Sequence, residues 1–278
     1  MRIAIASGKG GTGKTTIATN LSLLSGDSLL VDCDVEEPNC HLFLEAGMET
    51  DKVLGIPKPV IDPEDCTRCG ECSGFCRYNA LFTGKEGVLF FENLCHGCGG
   101  CRLVCPVGAI SEEEMRIGEI RSGSGNGYRL LDGVLDISIP SGVPIIRELK
   151  GMMGKDYIAF IDCPPGTSCS AVESIRDSDV CILVTEPTPF GLHDLKAAVE
   201  VVRSLEVPFG VVINREGIGN DEVMRWLEAE SIPLLGTIPN DMGIARVYSR
   251  GKIVVRELPE YRHLFERILE RVSRLVAT

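Results

Sequence analysis

Two sets of residues in this chain have the types and spacing to do chemistry. The first is Ser7–Thr16, SGKGGTGKTT. Gly8 and Gly13 bracket four residues and Lys14–Thr15 follows, the spacing of a phosphate-binding loop. Backbone N–H groups can converge on phosphate oxygens only where no Cβ intrudes, which is the use of Gly8, Gly10, Gly11 and Gly13. Lys14 supplies a point charge for the β and γ phosphates, and the Thr15 hydroxyl suits a Mg²⁺ ion. Thr12 and Thr16 complete the loop, and Lys9 adds a second cation directly after Gly8.

The second set is a cysteine repeat. Cys66-x₂-Cys69-x₂-Cys72-x₃-Cys76 recurs 29 residues later as Cys95-x₂-Cys98-x₂-Cys101-x₃-Cys105, followed by Pro106. Gly70 and Gly99 match within the repeat, as do Ala80 and Ala109. Three thiolates spaced in this way wrap one cubane, and the fourth, after the longer gap, reaches the other. The expected partition is Cys66, Cys69, Cys72 and Cys105 on one 4Fe-4S cluster, with Cys95, Cys98, Cys101 and Cys76 on the second. Zinc also uses C-x₂-C pairs, but tetrahedral zinc sites want two pairs set well apart rather than runs of three. His96 lies outside the cysteine register and reads as a surface residue.

Both sets must be positioned by surrounding elements. Apolar Arg2–Ala6, the glycine loop, a helix over Lys14–Leu24 and a strand over Ser28–Asp32 make an opening βαβ unit. The helix aims its positive dipole end at the bound phosphates. A short helix is expected at Cys40–Ala46, and Leu54–Pro59, with two prolines, reads as the end of the first portion. Met115–Arg121 and Tyr128–Asp132 read as strands joined by the SGSGNG turn. A helix at Val143–Met153 leads back to buried strands at Tyr157–Asp162, Val180–Thr185, Pro208–Asn214 and Pro233–Pro239. Helices between and after them are expected at Ala171–Asp177, Gly191–Leu205, Asn220–Glu230 and Met242–Arg250. The fold class expected is α/β, a doubly wound and mostly parallel sheet, with a small inserted α+β domain. Residues 1–57 and 112–278 form the nucleotide domain in this reading, and 58–111 the insert.

The run K-G-G-x-G-K-T-T resembles the deviant Walker A loop of the MinD/ParA superfamily of ATPases, to which the nitrogenase iron protein and cytosolic iron–sulfur carrier ATPases are related. The resemblance covers nearly everything outside 58–111. It implies ATP or ADP with Mg²⁺ as ligands, and a nucleotide-dependent homodimer, or heterodimer with a paralogue, in which Lys9 reaches the partner's phosphates. Asp34 matches the water-orienting aspartate and Asp32 bears on the Mg²⁺ shell, both from VDCDVEEPN. Asp162, opening DCPPGT, matches a switch that senses Mg²⁺ and the γ-phosphate. Lys9, Lys14, Asp34 and Asp162 are the catalytic candidates. Asn214 matches an adenine-reading asparagine, and Pro239, Asn240 and Asp241 match the other side of the base pocket. The insert is similar to bacterial two-cluster ferredoxins, with one departure: Arg77 follows Cys76 where that pattern has proline. Cys169, seven residues beyond Asp162, lies where the nitrogenase iron protein uses a cysteine to bridge a cluster between subunits, but no second cysteine supplies the other half.

Composition narrows the classes. The net charge of −12 excludes a basic nucleic-acid footprint. No apolar run approaches the ~20 residues that cross a bilayer. Met1 enters a strand at once, leaving no room for a signal peptide, so a cytoplasmic location is expected. Thirteen cysteines in a reducing compartment point to metal ligands rather than disulfides, while Cys33, Cys40, Cys163 and Cys181 read mostly as packing residues. The amphipathic stretch Pro259–Ala277 is expected to pack on the core, since its polar face mixes glutamate and arginine without the basic bias of a membrane-binding helix. The function expected is ATP hydrolysis switching a dimer and gating electron transfer to a redox protein partner. Cluster assembly or carriage, and a redox-sensing positioning ATPase, are the alternatives. The absence of a C-terminal C-x-x-C, with no cysteine after Cys181, disfavours carriage.

Overall fold

The computed structural model describes residues 1–125, 127–154 and 157–276. The chain runs β1 (Arg2–Ala6), α1 (Lys14–Leu24), β2 (Ser28–Asp32), α2 (Cys40–Leu44), β3 (Glu49–Ile61), α3 (Glu71–Phe75), β4 (Leu81–Thr83) and β5 (Val88–Phe90). It continues through α4 (Gly100–Leu103), β6 (Ile110–Gly125), β7 (Tyr128–Leu135), α5 (Val143–Met152), β8 (Ile158–Asp162), α6 (Cys169–Ile175) and β9 (Val180–Thr185). The remainder is α7 (Pro189–Ser204), β10 (Phe209–Glu216), α8 (Glu222–Ala229), β11 (Leu234–Pro239), α9 (Met242–Ser249), α10 (Val254–Glu257) and α11 (Arg262–Val276).

Among the described residues the main sheet has nine strands in the order β11-β10-β9-β1-β8-β2-β7-β6-β3. The run from β11 to β7 is parallel, and β6 and β3 are antiparallel additions. Side chains of a strand alternate between faces, and both faces here are apolar, as a parallel sheet covered by helices requires. In β1, Ala4 and Ala6 enter the layer under α5 to α8, with Ile145, Leu149, Val199 and Leu227. Ile3 and Ile5 enter the opposite layer, with Ile17 and Leu21 of α1 and Phe265, Ile268 and Val272 of α11. The apolar face of α11 is therefore occupied by the core, and Arg271 donates to the Leu234 carbonyl at 2.9 Å. No helix among the described residues is long and apolar enough to cross a membrane.

One expectation is corrected. Leu54–Pro59 is not a terminating segment but part of the 13-residue edge strand β3, paired with β6 from Glu49–Ser122 to Ile61–Ile110. Proline is disqualifying only in a central strand, and β3 has a free edge. The strand expected at Met115–Arg121 is correspondingly longer, starting at Ile110 and running through Gly125. Asn126 of the expected SGSGNG turn lies outside the described residues, as does Ala277 of the last helix. Between Ile61 and Ile110 the chain leaves the sheet and forms α3, α4 and the β4–β5 hairpin over a small cluster of Cys72, Leu81 and Ile110.

Candidate functional site

The phosphate loop sits where the parallel strands end. Gly8 packs so close to α7 that a Cβ would lie 2.0 Å from the Asp194 carbonyl oxygen. Gly13, at φ +96°, has a left-handed backbone and space for nothing larger, since a Cβ would lie 2.3 Å from Asn214 Nδ2. That Asn214 nitrogen donates to the Thr12 carbonyl at 2.7 Å, and Ser7 Oγ donates to the Lys9 carbonyl at 2.6 Å. The loop is thus braced from two sides before any ligand arrives. Beside it opens a cleft of about 370 Å³, lined by Gly10, Gly11, Gly13, Lys14, Thr15 and Thr16 on one side. Asn214, Pro239, Asn240, Asp241, Ile244 and Tyr248 line the other side, with Asp34 and Glu37 at the mouth of the loop. Gly8, Lys9 and Thr12 lie outside this lining. Asp241 also caps α9, accepting from Gly243 N at 2.6 Å and Ile244 N at 3.2 Å.

Three aspartates stand at one level on adjacent strands: Asp162, ending β8, is in register with Asp32, ending β2, and Asp32 with Asp132 inside β7. Asp162 accepts from Thr15 Oγ1 at 2.6 Å and from the Cys40 thiol at 3.4 Å. Asp32 accepts the backbone N–H groups of Asp34 at 3.1 Å and of Asn39 and Cys40 at 2.9 Å, so it shapes the segment leading into α2. Asp132 accepts a two-pronged contact from Arg121 of β6, at 2.8 and 2.7 Å, and faces His41 Nδ1 at 3.5 Å. Burial pushes the carboxyls of Asp32 and Asp162 above the usual range, and their mutual repulsion adds to this at Asp32. Asp34 is pushed up to about 6, by burial first and then by Asp32, with Lys14 opposing.

Lys9 does not point into solvent. Its ammonium lies 3.1 Å from Glu186 Oε2, and Arg215 takes the other oxygen of that carboxylate at 2.5 Å. Glu186 and Arg215 were not among the sequence candidates, nor were Asp132, Arg121 and His41. Glu186, just past β9, could have been flagged by asking which acids stand at the carboxyl ends of strands, where ligands of open α/β sheets gather, whereas Asp132 lies inside β7. Arg121 carried no local signal at all.

The cysteines gather into two groups. One cavity is lined by Cys76, Cys95, Cys98 and Cys101, the other by Cys66, Cys69, Cys72 and Cys105. Each takes three cysteines from one run and one from the other. Backbone N–H groups point at sulfur in two places, Ala80 to Cys76 at 3.3 Å and Gly97 to Cys95 at 3.5 Å. Burial pushes the Cys95 and Cys101 thiols up. An all-sulfur set of four with inward N–H donors fits an iron–sulfur cluster. His96 is not free at the surface, since its ring stacks on Tyr78 with centroids 3.7 Å apart. Cys33, Cys163 and Cys181 are buried among apolar neighbours, and Cys169 is exposed at the start of α6.

Residues 3–255 match the family model described as the CobQ/CobB/MinD/ParA nucleotide binding domain. An uncharacterized protein of Methanocaldococcus jannaschii is 30% identical over 259 residues, covering 91% of this chain and 90% of its own. The iron–sulfur cluster carrier protein of the same organism is 23% identical, covering 98% of this chain and 85% of its own. Among solved structures, the septum site-determining protein MinD of Pyrococcus horikoshii, complexed with Mg-ADP, superposes with a TM-score of 0.62 at 23% identity, covering 99% of this chain and 96% of its own. With its braced glycine loop, its cleft and a model match over nearly the whole length, this chain belongs to the CobQ/CobB/MinD/ParA nucleotide-binding family.

Proposed function

We propose that the chain is an ATP-hydrolysing dimer switch whose nucleotide state gates electron transfer through two 4Fe-4S clusters held by residues 58–111. The observation that carries this reading is the continuity between the two sites. Cys40 and His41, neighbours on α2, touch Asp162 and Asp132 respectively. Arg121, clamped to Asp132, belongs to β6, which leads directly to the cysteine segment. A change at Asp162 therefore bears on the strand that follows the cysteine segment through three side-chain contacts, Cys40–Asp162, His41–Asp132 and Arg121–Asp132.

In this reading Lys14 takes the β and γ phosphates and the loop N–H groups hold their oxygens. Thr15 and Asp162 would hold Mg²⁺, with Asp32 fixing the backbone beside them. Asp34 orients the attacking water and accepts its proton, which requires the carboxylate form. Lys9 leaves Glu186 to reach the partner's phosphates, so dimerisation and the loss of one ion pair are coupled. The ligand sets would be Cys66, Cys69, Cys72 and Cys105 for one cluster and Cys76, Cys95, Cys98 and Cys101 for the other. Such clusters supply one-electron transfer when bound. The Gly97 and Ala80 N–H groups would tune the sulfurs they face.

The deciding experiment is anaerobic purification followed by EPR of the reduced protein and potentiometry with and without Mg-ATP. A nucleotide-dependent shift in potential, or in the rate of oxidation by an acceptor, supports gating. A potential and an oxidation rate indifferent to ATP overturn it. The likeness to an iron–sulfur cluster carrier protein favours a second reading, delivery of clusters to other proteins. Transfer of iron and sulfide to an apoprotein, accelerated by ATP, would select that reading.

A further inference from the structure

Cys40 differs from the other cysteines outside the two cavities. Cys33, Cys163 and Cys181 lie in the apolar layer under α5 to α8, whereas the Cys40 thiol, fully buried, donates to the Asp162 carboxylate. One donor atom each from Asp32, Cys40 and Asp162 lies within 4.8 Å of the others. Asp32 is wholly buried and Asp162 is 2% exposed, and Asp162 Oδ1 has no hydrogen-bond partner. Two carboxylates side by side in a low-dielectric setting, one with an idle oxygen, lack positive charge. Backbone N–H groups answer part of that need at Asp32, and the Thr15 hydroxyl and the Lys14 charge answer part at Asp162.

The donor set decides which cation suits. Mg²⁺ demands an octahedron of oxygens and keeps several waters, so a sulfur in the group contributes nothing to it. One thiolate with two carboxylates is instead a set for borderline cations such as Zn²⁺, Fe²⁺ and Cd²⁺. We propose that Asp32, Cys40 and Asp162 form a binding site for a thiophilic divalent cation in the nucleotide-free protein, sharing Asp162 with the Mg²⁺ position beside Thr15 but adding the Cys40 thiolate and Asp32 as donors. As the metal–sulfur bond forms, the thiol proton leaves to solvent. Because Asp162 is shared, this cation and Mg-nucleotide exclude one another. The site thereby ties nucleotide binding to the supply of thiophilic metal, whatever residues 66–105 hold.

Equilibrium dialysis of the full chain against Cd²⁺ in excess Mg²⁺, anaerobic and without nucleotide, reads the site. The eight cysteines of 66–105 are common to every protein compared, so only differences count. Wild type retains one equivalent of Cd²⁺ more than Cys40→Ser and more than Asp32→Asn, with affinity at least tenfold weaker in each variant. Equal retention by wild type and Cys40→Ser overturns the proposal, as does an Asp32→Asn protein that keeps the extra equivalent. Should a variant fold poorly, cadmium NMR of the wild type decides alone. A resonance of mixed sulfur and oxygen ligation that vanishes on adding Mg-ADP supports the site, and resonances of four-sulfur ligation only overturn it.

Discussion

The nucleotide side and the cysteine side of this molecule are stabilised in opposite ways. The loop at Gly8–Thr16 is braced by Asn214 and by Asp194, and rests on a sheet buried on both faces. Its geometry is fixed by contacts within the chain. The segment between Ile61 and Ile110 has an apolar cluster of only Cys72, Leu81 and Ile110, with a few half-buried neighbours. It leaves Phe82 and Leu89 each 58% exposed and Leu103 85% exposed. A unit of that size with so thin a core needs staples, and the eight cysteines are the means available. One side shapes its site by its own packing; the other, in the proposed reading, relies for order on the groups its cysteines would hold.

The largest effect that tests this contrast is removal of iron. Chelation under anaerobic conditions should lower amide protection in 62–109 by more than 100-fold and leave β1 and β8 unchanged by hydrogen exchange. Equal loss on both sides would break the contrast. Next is Arg121→Ala, which strands the buried Asp132 carboxylate and should cost about 3 kcal/mol of stability by denaturant titration. It should also abolish any effect of nucleotide on the properties of the cysteine segment, since Arg121 joins that strand to the aspartate row. Lys14→Ala should weaken ATP binding at least 100-fold, about 2.7 kcal/mol, by calorimetry, while iron content stays at the wild-type level.

The smallest effect concerns Asp34. Its carboxyl is raised to about 6, so below that pH the water-orienting carboxylate is lost. ATPase kcat/KM should fall about tenfold per pH unit on the acid side, measured as a pH profile. The sign for stability is the reverse. A carboxyl raised from the unfolded value of 3.8 stabilises the fold at acid pH, and this is lost as pH rises through about 6. Asp34→Asn should therefore stabilise the nucleotide-free protein by about 1 kcal/mol at pH 7.5, a figure discounted for the half-exposed position, and by nothing below pH 4.

The sequence exposed the chemistry of both regions better than the links between them. The glycine spacing, set between an apolar strand and a helix in the required order, let Gly8 to Thr16 be read as a phosphate loop. The cysteine partition could be read too, because the fourth thiolate, after the longer x₃ gap, points away from its own triplet toward the second centre. The β3 strand was hidden by Pro57 and Pro59, whose missing N–H groups matter only if the strand is central, and edge position is a tertiary property. Arg121 and Asp132 face each other across one rung of the β6–β7 ladder. Pairing of that kind depends on register, which the turn and the sheet determine together. Lys9 was legible as a special lysine and Glu186 as an acid just past a strand, but their pairing was not, since such an acid has many uses.

Ile61 and Ile110 are opposite one another on the last rung of the β3–β6 ladder. Their Cα atoms are therefore about 5 Å apart, the width of one antiparallel pair. Everything in 62–109 enters and leaves through that gap, so a tight two-residue turn would close the same ladder without disturbing it. The nucleotide sheet presents a socket rather than a permanent fixture. Excision of the module, or exchange for another whose ends lie equally close, requires no redesign of the sheet that bears it.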